Sequence, residues 1–348
     1  ARVSQRYLDA ALDLAAPKER DDLLRRIQEA TDDLAGQLQG VSLVRECTPR
    51  TLDSVLSFGE RASALVVAAA FRAQGQAAKA CDARPLVLTD SAFGGARVAL
   101  TPTYDRIRAW WSEGVALPVV TGFIGSTSSG ETTTLGRGGS DYTAALFGAA
   151  LNASAIEIWT DVDGVMSADP RIVPTAFSMD SLRYDELMEL SHFGAKVVYP
   201  PTVHPARAAN IPLVIKNTLN PGFKGTWVRE DAGPAPLGVR GVASISNVAL
   251  LRLEGDGMVG VPGIAMRLFG ALAREKVSVI LISQASSEHS ICFAIEPDAV
   301  PRAQESIGAE FALERKAELI DDLVVEPDAS VIAVVGAAMR ETPGSAGR

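Results

Sequence analysis

The stretch TLGRGGSDYTA, Thr134–Ala144, decides the fold, because it predicts a glycine-rich turn that leads directly into a helix. Its three glycines permit backbone conformations that other residues rarely adopt. The Ala-rich run up to Leu151 predicts the helix, with Ser140 or Asp141 as its N-cap. The free N–H groups of such a helix start favour an anion, and Arg137 can bind a carboxylate or a phosphate in bidentate fashion. An ordinary capped helix beside a solvated arginine is the alternative.

A second segment, IWTDVDGVMSADPR at Ile158–Arg171, follows the pattern of a strand that ends in carboxylates. The apolar alternation stops, and Asp161, Asp163 and Asp169 follow. Ligands of open α/β sheets bind outside the carboxyl ends of the strands. These side chains, with the arginine that ends the segment, are therefore candidates for contact with a Mg-bound phosphate chain. An acidic turn closed by Asp-Gly remains the alternative for any one of them.

Together with HFGAKVVYP, His192–Pro200, these two segments resemble the aspartate kinases of the amino acid kinase family. The resemblance begins at about Leu43, includes FGERASALV at Phe58–Val66, and continues into the C-terminal region. It implies transfer of a phosphoryl group from ATP, with Mg²⁺, to the side chain of L-aspartate, giving 4-phospho-L-aspartate on the way to lysine, threonine and methionine. A carboxylate nucleophile is already ionised at neutral pH, so the site must hold two anions together and needs no general base.

The resemblance assigns a role to individual positions. Arg137 and Asp161 are the expected catalytic residues, and Arg137 is expected to bind the substrate α-carboxylate while Glu60 accepts the substrate ammonium. Ser140 and Asp141 complete the expected substrate pocket. The expected nucleotide contacts are Thr160, Asp161, Met166, Asp169, Arg171 and Lys196. Many relatives have a tyrosine where this chain has Met166, a polarizable apolar replacement. No metal site built from protein side chains alone is expected.

Relatives open with a strand and a Lys-Phe-Gly-Gly-type loop that cradles the phosphates, whereas this sequence begins ARVSQRYLDAAL, which is helical in pattern. We therefore expect a partial chain with little kinase activity of its own. An internal repeat with a constant spacing of 81 residues points the same way. Gly255, Met258, Pro262, Gly263, Ala265 and Arg267 recur as Gly336, Met339, Pro343, Gly344, Ala346 and Arg348. The second copy ends before the elements that would bury its apolar face.

The strand, Pro-Gly loop, helix and strand around the first copy resemble the ACT domain, a βαββαβ module that binds free amino acids. The expected effector contacts are Met258, Gly263, Ile264, Ser278, Ile280 and Gln284. Lysine-inhibited relatives place an aspartate where Ile280 stands, and an apolar residue does not compensate for the desolvation of a lysine ammonium. Gln284 offers a donor and an acceptor to threonine. The run ISQASSEHSICFAI resembles threonine-responsive enzymes, many of them fused to homoserine dehydrogenase, so threonine is the expected effector.

The predicted fold class is α/β, a three-layer αβα sandwich with a mostly parallel sheet over residues 1–230. An α+β regulatory region is predicted over residues 231–348, with a first ACT domain at about 245–328 and the start of a second at 329–348. Helices are predicted at residues 4–15, 18–40 and 52–75, and strands at 86–89 and 116–121. A homo-oligomer that assembles through the ACT domains is expected.

The net charge of −9 argues against nucleic acid or an anionic membrane surface as a partner. Apolar runs such as Ala64–Phe71 are too short to span a bilayer. Three cysteines that are far apart in sequence favour a reducing compartment, and a cytoplasmic location is expected. The three histidines have no metal-ligand spacing.

Two alternatives to the aspartate kinase interpretation stay open. One is another amino acid kinase, acting on glutamate, an N-acetylated amino acid or a nucleoside monophosphate. The internal repeat and Glu60 argue against it, since a free substrate ammonium needs a carboxylate partner. The other is an amino-acid sensor that keeps ACT-type binding and has no phosphoryl transfer.

Overall fold

A computed structural model of the chain describes residues 2–112, 114, 117–194, 197–233, 238–284, 289–336 and 339. The chain divides into two compact units. Unit 1 contains residues 1–241 and 336–348, and unit 2 contains Val242–Val335. The sequence predicts a boundary at residue 230. The first segment of unit 1 ends eleven residues later, at Gly241.

Unit 1 alternates helices with short strands. Its helices are α1 (Arg2–Leu14), α2 (Arg20–Val44), α3 (Pro49–Ala73), α4 (Leu100–Trp111), α5 (Gly139–Leu151), α6 (Tyr184–His192) and α7 (Pro200–Ala208). Its strands are β1 (Ala78–Cys81), β2 (Leu117–Val120), β3 (Ile124–Ser126), β4 (Thr132–Thr134), β5 (Ile156–Thr160), β6 (Ser181–Arg183), β7 (Leu213–Asn217) and β8 (Thr226–Arg229). The pairs β1–β2, β5–β7 and β6–β8 are parallel, whereas β3–β4 and β7–β8 are antiparallel.

Helix α3 is central to unit 1. Thr48 caps its N-terminus by accepting a hydrogen bond from the N–H of Thr51 at 3.2 Å, and Pro49 occupies the first turn, where its missing N–H costs nothing. Val66 and Ala69 pack into a cluster with residues of α1 and α2. Among the described residues, α3 is the helix long and apolar enough to cross a membrane by length and composition alone. It packs on α1, α2 and β1 within unit 1.

The predicted helices at the N-terminus are confirmed as α1, α2 and α3, with ends displaced by a few residues, and the strand at 116–121 is confirmed as β2. The strand predicted at residues 86–89 is wrong. Its first half forms a turn, in which two N–H groups donate to the carbonyl of Ala83 at 2.9 and 2.8 Å. Its second half makes isolated bridges to Ser126 and Val98. A short apolar run is buried whether it forms a strand or a turn, so its periodicity alone does not distinguish these two structures.

Unit 2 has the strand–helix–strand–strand–helix–strand order expected of an ACT domain. Its elements are β9 (Gly241–Glu254, with Gly241 in unit 1), α8 (Ile264–Arg274), β10 (Val279–Gln284), β11 (Ser290–Ile295), α9 (Val300–Glu310), α10 (Ala312–Lys316) and β12 (Val324–Val335). The sheet order is β10-β11-β9-β12, and β11 pairs antiparallel with both β10 and β9. Alternate residues of β9 and β11, such as Leu251 and Phe293, pack against Leu268 and Ile307 of the helices.

Of the second repeat copy, Gly336 and Met339 lie within the described residues, whereas Pro343, Gly344, Ala346 and Arg348 lie outside them.

Candidate active site

The glycine-rich turn joins β4 to α5. Gly138 is the N-cap of α5, with φ of +67°, so the prediction of Ser140 or Asp141 as N-cap is wrong. A Cβ at Gly138 would lie 2.2 Å from Cβ of Tyr199, and only glycine fits both this conformation and this contact. Ser140 and Asp141 therefore lie inside the first helical turn. No side chain caps this helix, and the N–H of Gly139 donates to the carbonyl of Gly136 at 3.1 Å. The N–H groups of Ser140 and Asp141 are therefore the ones that an anion would meet at the helix start.

Glu60 lies where α3, the end of β2 and the start of α5 meet. Its Oε2 accepts a hydrogen bond from the N–H of Gly122 at 3.2 Å, and the nearby Ser140 side chain favours the charged form of the carboxylate. A Cβ at Gly122 would lie 2.9 Å from Cβ of Ser140, so the two backbones are in close contact. Burial raises the pKa of Glu60 above its ordinary value, and the Gly122 N–H and the Ser140 side chain oppose that rise.

Arg137 and Asp141 flank this junction. Arg137 is exposed in the turn, three residues before Ser140. Asp141 is half-buried in the first turn of α5, and burial raises the pKa of its carboxyl. An exposed guanidinium, uncapped helical N–H groups and a partly buried carboxylate together suit a ligand that carries both a carboxylate and an ammonium, as a free amino acid does.

Among the predicted nucleotide contacts, β5 ends at Thr160, whose hydroxyl donates to Oδ1 of the exposed Asp161 at 3.1 Å. Asp163 has a different environment. Its Oδ1 accepts hydrogen bonds from Nδ2 of Asn217 at 2.9 Å and of Asn220 at 3.1 Å. These bonds tie the acidic turn to the end of β7. Asp163 therefore holds the turn in place, and the exposed Asp161 is the carboxylate that is open to a ligand.

Asp169 and Arg171 bind each other. Nε of Arg171 lies 3.0 Å from Oδ1 of Asp169, and Nη2 lies 2.7 Å from Oδ2. This pairing lowers the pKa of Asp169, although the Arg171 side chain is 87% exposed. Met166 is half-buried and forms a bridge with Ser178. Lys196, the remaining predicted nucleotide contact, lies outside the described residues.

The predicted substrate residues Glu60 and Ser140 thus meet at Gly122, which donates to Glu60 and packs against Ser140. Arg137 and Asp141 lie close to Ser140 in sequence. The predicted nucleotide residues form two local pairs, Thr160–Asp161 and Asp169–Arg171. Gly122 and Tyr199 are contacts that the site prediction omits. Tyr199 belongs to the quoted segment HFGAKVVYP, but nothing in the sequence places its ring against Gly138.

The predicted effector residues of unit 2 divide by exposure. The side chains of Met258 and Ile264 are buried in the core, 2% and 6% exposed. Gly263, with φ of +94°, is the N-cap of α8. Ser278 and Gln284 are exposed, just before β10 and at its end. Ile280 is half-buried at an irregularity in the β10–β11 register.

The described residues contain no group of three or more His, Cys, Asp or Glu side chains that could hold a metal ion. Mg²⁺ in phosphoryl transfer is typically held by one or two carboxylates, by substrate phosphates and by water. The exposed carboxylate of Asp161, at the carboxyl end of β5, fits that kind of site. An ion delivered with the nucleotide is therefore compatible with the residues present.

Residues 3–217 match the family model described as amino acid kinase family, and residues 251–311 match a model described as ACT domain. This chain belongs to the amino acid kinase family. Its curated relatives include bifunctional aspartokinase/homoserine dehydrogenases from Daucus carota, 38% identical over 98% of this chain, and from Haemophilus influenzae, 37% identical over 90% of it. The chain spans 38% of the length of each of these relatives.

Solved structures agree with the sequence relatives. E. coli aspartokinase III in complex with aspartate and ADP (R-state) matches with a TM-score of 0.75 and 29% identity, over 99% of this chain and 80% of that one. The same enzyme in complex with lysine and aspartate (T-state) matches with a TM-score of 0.70 and 30% identity, over 97% and 78%. The predicted resemblance to the aspartate kinases and the predicted fold class, an amino acid kinase fold followed by an ACT domain, are confirmed.

Proposed function

We propose that the protein to which this chain belongs is an aspartate kinase, which transfers the γ-phosphoryl group of ATP to the side-chain carboxylate of L-aspartate. The observation that carries the proposal is the junction of Glu60, Gly122 and Ser140 beside the glycine-rich turn. It offers an anion site and a carboxylate to one small zwitterion. Support comes from the aspartokinase relatives and from the similarity to an aspartokinase solved with aspartate and ADP.

Each substrate group then has a partner of opposite charge. Arg137 and the N–H groups at the start of α5 bind the α-carboxylate, Glu60 accepts the ammonium, and Ser140 and Asp141 shape the pocket. The substrate side-chain carboxylate is left free to attack, and it requires no base at neutral pH.

For the nucleotide we propose contacts with Thr160, Asp161, Met166, Asp169, Arg171 and Lys196. Mg²⁺, when bound with the nucleotide, neutralises phosphate charge. Asp161 is the residue that would hold it. Asp163 keeps the acidic turn in register with β7.

The test is a substrate panel with the protein as its gene encodes it. The protein is incubated with Mg-ATP and with L-aspartate, L-glutamate, N-acetyl-L-glutamate or UMP as acceptor. ADP release reports turnover on every acceptor, and hydroxylamine traps the acyl phosphates formed on the three carboxylate acceptors as hydroxamates. Hydroxamate with aspartate alone supports the proposal. Activity on another acceptor would identify a different amino acid kinase. ACT-type ligand binding with no ATP turnover on any acceptor would identify an amino-acid sensor.

For regulation we propose threonine as the effector, bound by unit 2 at an interface between ACT domains of a homo-oligomer. Ile280 places an apolar side chain where a lysine ammonium would need a carboxylate. Gln284 is exposed and can both donate and accept. Because Met258 and Ile264 point into the core, the loop that they flank would contact the effector through its backbone. One relative, E. coli aspartokinase III, is solved with lysine, so the choice of effector is open to test.

Threonine and lysine are titrated separately into the kinase assay, with wild type, Gln284→Ala and the control Ser283→Ala. Ser283 is also exposed but points to the opposite face of β10. Inhibition by threonine that is weakened in Gln284→Ala and retained in Ser283→Ala supports the assignment. A typical coupling corresponds to about 5- to 150-fold in affinity, which such a titration resolves. Inhibition by lysine alone contradicts it.

A further inference from the structure

Asp53 of α3 is a fully buried carboxylate outside the set of predicted site residues. It is 0% exposed. The N–H of Gly94 donates to Oδ1 at 3.1 Å and to Oδ2 at 2.9 Å, the N–H of Thr134 donates to Oδ2 at 3.0 Å, and the Thr134 hydroxyl donates to Oδ1 at 2.7 Å. Within the described part of the chain, its hydrogen bonds come from these neutral donors. A buried carboxylate satisfied in this way is costly to remove from water, so its bonds have to be well placed.

Asp53 and Glu60 lie on one face of α3. They are seven residues apart, which is about two helical turns, so their side chains project in the same direction. Asp53 binds Thr134, three residues before Arg137 in the chain. Glu60 accepts a hydrogen bond from the N–H of Gly122, which packs against Ser140, three residues after Arg137. One helix therefore holds the glycine-rich turn at both of its ends.

The second partner of Asp53 reaches the same turn. A Cβ at Gly136 would lie 3.5 Å from the carbonyl oxygen of Gly94 and 3.5 Å from Cα of Gly95, so the loop that contains Gly94 packs against the turn. Asp53 thus bonds to two segments, β4 and this loop. They meet at Gly136, the residue before Arg137.

We propose that Asp53 is a positioning residue for the amino-acid substrate. It fixes the turn that carries Arg137 relative to Glu60, and so sets the spacing between the groups that bind the substrate carboxylate and ammonium, without contacting the substrate. This role rests on the proposed aspartate kinase function. It predicts that removing the hydrogen bonds of Asp53 weakens aspartate binding and leaves nucleotide binding intact. Thr160 lies at the end of β5 and Asp161 in the loop after it, and the hydrogen bonds of Asp53 go to neither segment.

The test is Asp53→Asn, which keeps the side-chain volume but replaces one acceptor oxygen by an NH₂ group that faces N–H donors. The KM for aspartate is expected to rise by about ten-fold or more, because small displacements of positioning groups have effects of this size. The KM for ATP is expected to stay within about two-fold of wild type, the signature of a selective loss of substrate binding.

Asp90→Asn is the matched control. The exposed Asp90 accepts hydrogen bonds from the N–H groups of Ala92 at 3.1 Å and Arg97 at 3.0 Å, at either end of the same loop, but has no bond to Thr134. Both KM values of this variant are expected to stay near wild type. An equal rise in the aspartate KM of Asp90→Asn would overturn the proposal.

A second pair of variants keeps the test decisive if Asp53→Asn does not fold. Thr134→Val removes the hydroxyl that donates to Asp53, and Thr134→Ser keeps it. A selective rise in the aspartate KM for the valine variant only supports the proposal. A parallel rise in both KM values, or no rise, identifies Asp53 as a purely structural residue. Failure of the proposed function is distinguishable, because wild type would then give no aspartyl hydroxamate.

Discussion

Replacing Gly138 by alanine tests the packing of the glycine-rich turn. Gly138 has φ of +67°, and an added Cβ would lie 2.2 Å from Cβ and 2.5 Å from Cγ of Tyr199. A side chain in this left-handed region costs about 1 kcal/mol relative to glycine. The overlap with Tyr199 forces a displacement, and overpacking of this kind typically costs about 1–3 kcal/mol. The free energy of unfolding should therefore fall by about 2–4 kcal/mol.

Gly130→Ala is the control, because Gly130 has φ of +83° and no atom within 4 Å of the added Cβ. It should lose about 1 kcal/mol, from the backbone alone. All four tryptophans of the chain lie in unit 1, so urea unfolding followed by tryptophan fluorescence reports on this unit. Gly138→Ala should also raise the KM for aspartate, since the turn carries Arg137. Equal losses of stability in the two variants would refute the packing described for Tyr199.

Two further predictions concern charge. Because burial raises the pKa of Glu60, its carboxylate takes up a proton at a higher pH than an ordinary glutamate does. The KM for aspartate should therefore rise as the pH falls through that pKa. Glu60→Gln should show a high KM that no longer changes over this pH range, and a pH dependence equal to wild type would contradict the role of Glu60. In unit 2, Arg267 lowers the pKa values of Glu310 and Glu314, so the stabilisation is present above the ordinary pKa of glutamate and is lost as the pH falls through the lowered values. Arg267→Gln should therefore speed amide hydrogen exchange in α8 at neutral pH. The effect should exceed that of Arg274→Gln, which loses only an exposed ion pair with Glu310. Equal exchange rates in the two variants would contradict the stabilising role of Arg267.

Local chemistry made the glycine-rich turn and α5 predictable from the sequence. Glycines that need positive φ, followed by an Ala-rich run, restrict the chain within a few residues. The N-cap was still misplaced, because its position depends on Tyr199, 61 residues away from Gly138. β1, with the sequence AKAC, contains no β-branched or aromatic residue and was missed for that reason.

The parts of the site that could not be predicted depend on partners distant in sequence. The sequence makes Asp163 a candidate ligand of a Mg-bound phosphate chain. In the structure its carboxylate instead bonds to Asn217 and Asn220, which follow 54 and 57 positions later. Nothing in the local sequence distinguishes Asp53 from other polar helix residues, because its partner Thr134 lies 81 positions away. Residue type and spacing identify which side chains can do chemistry. Tertiary hydrogen bonds decide which of them are open to a ligand.

The measurement that decides the role of the turn is steady-state kinetics of Arg137→Ala in the protein as its gene encodes it, with aspartate varied at saturating Mg-ATP and aspartyl hydroxamate as the product. Loss of a bidentate contact with the α-carboxylate should cost about 2–4 kcal/mol of binding. This corresponds to a loss of roughly 30- to 1,000-fold in kcat/KM for aspartate. An Arg137→Ala variant with wild-type kcat/KM would remove Arg137 and the glycine-rich turn from the substrate site.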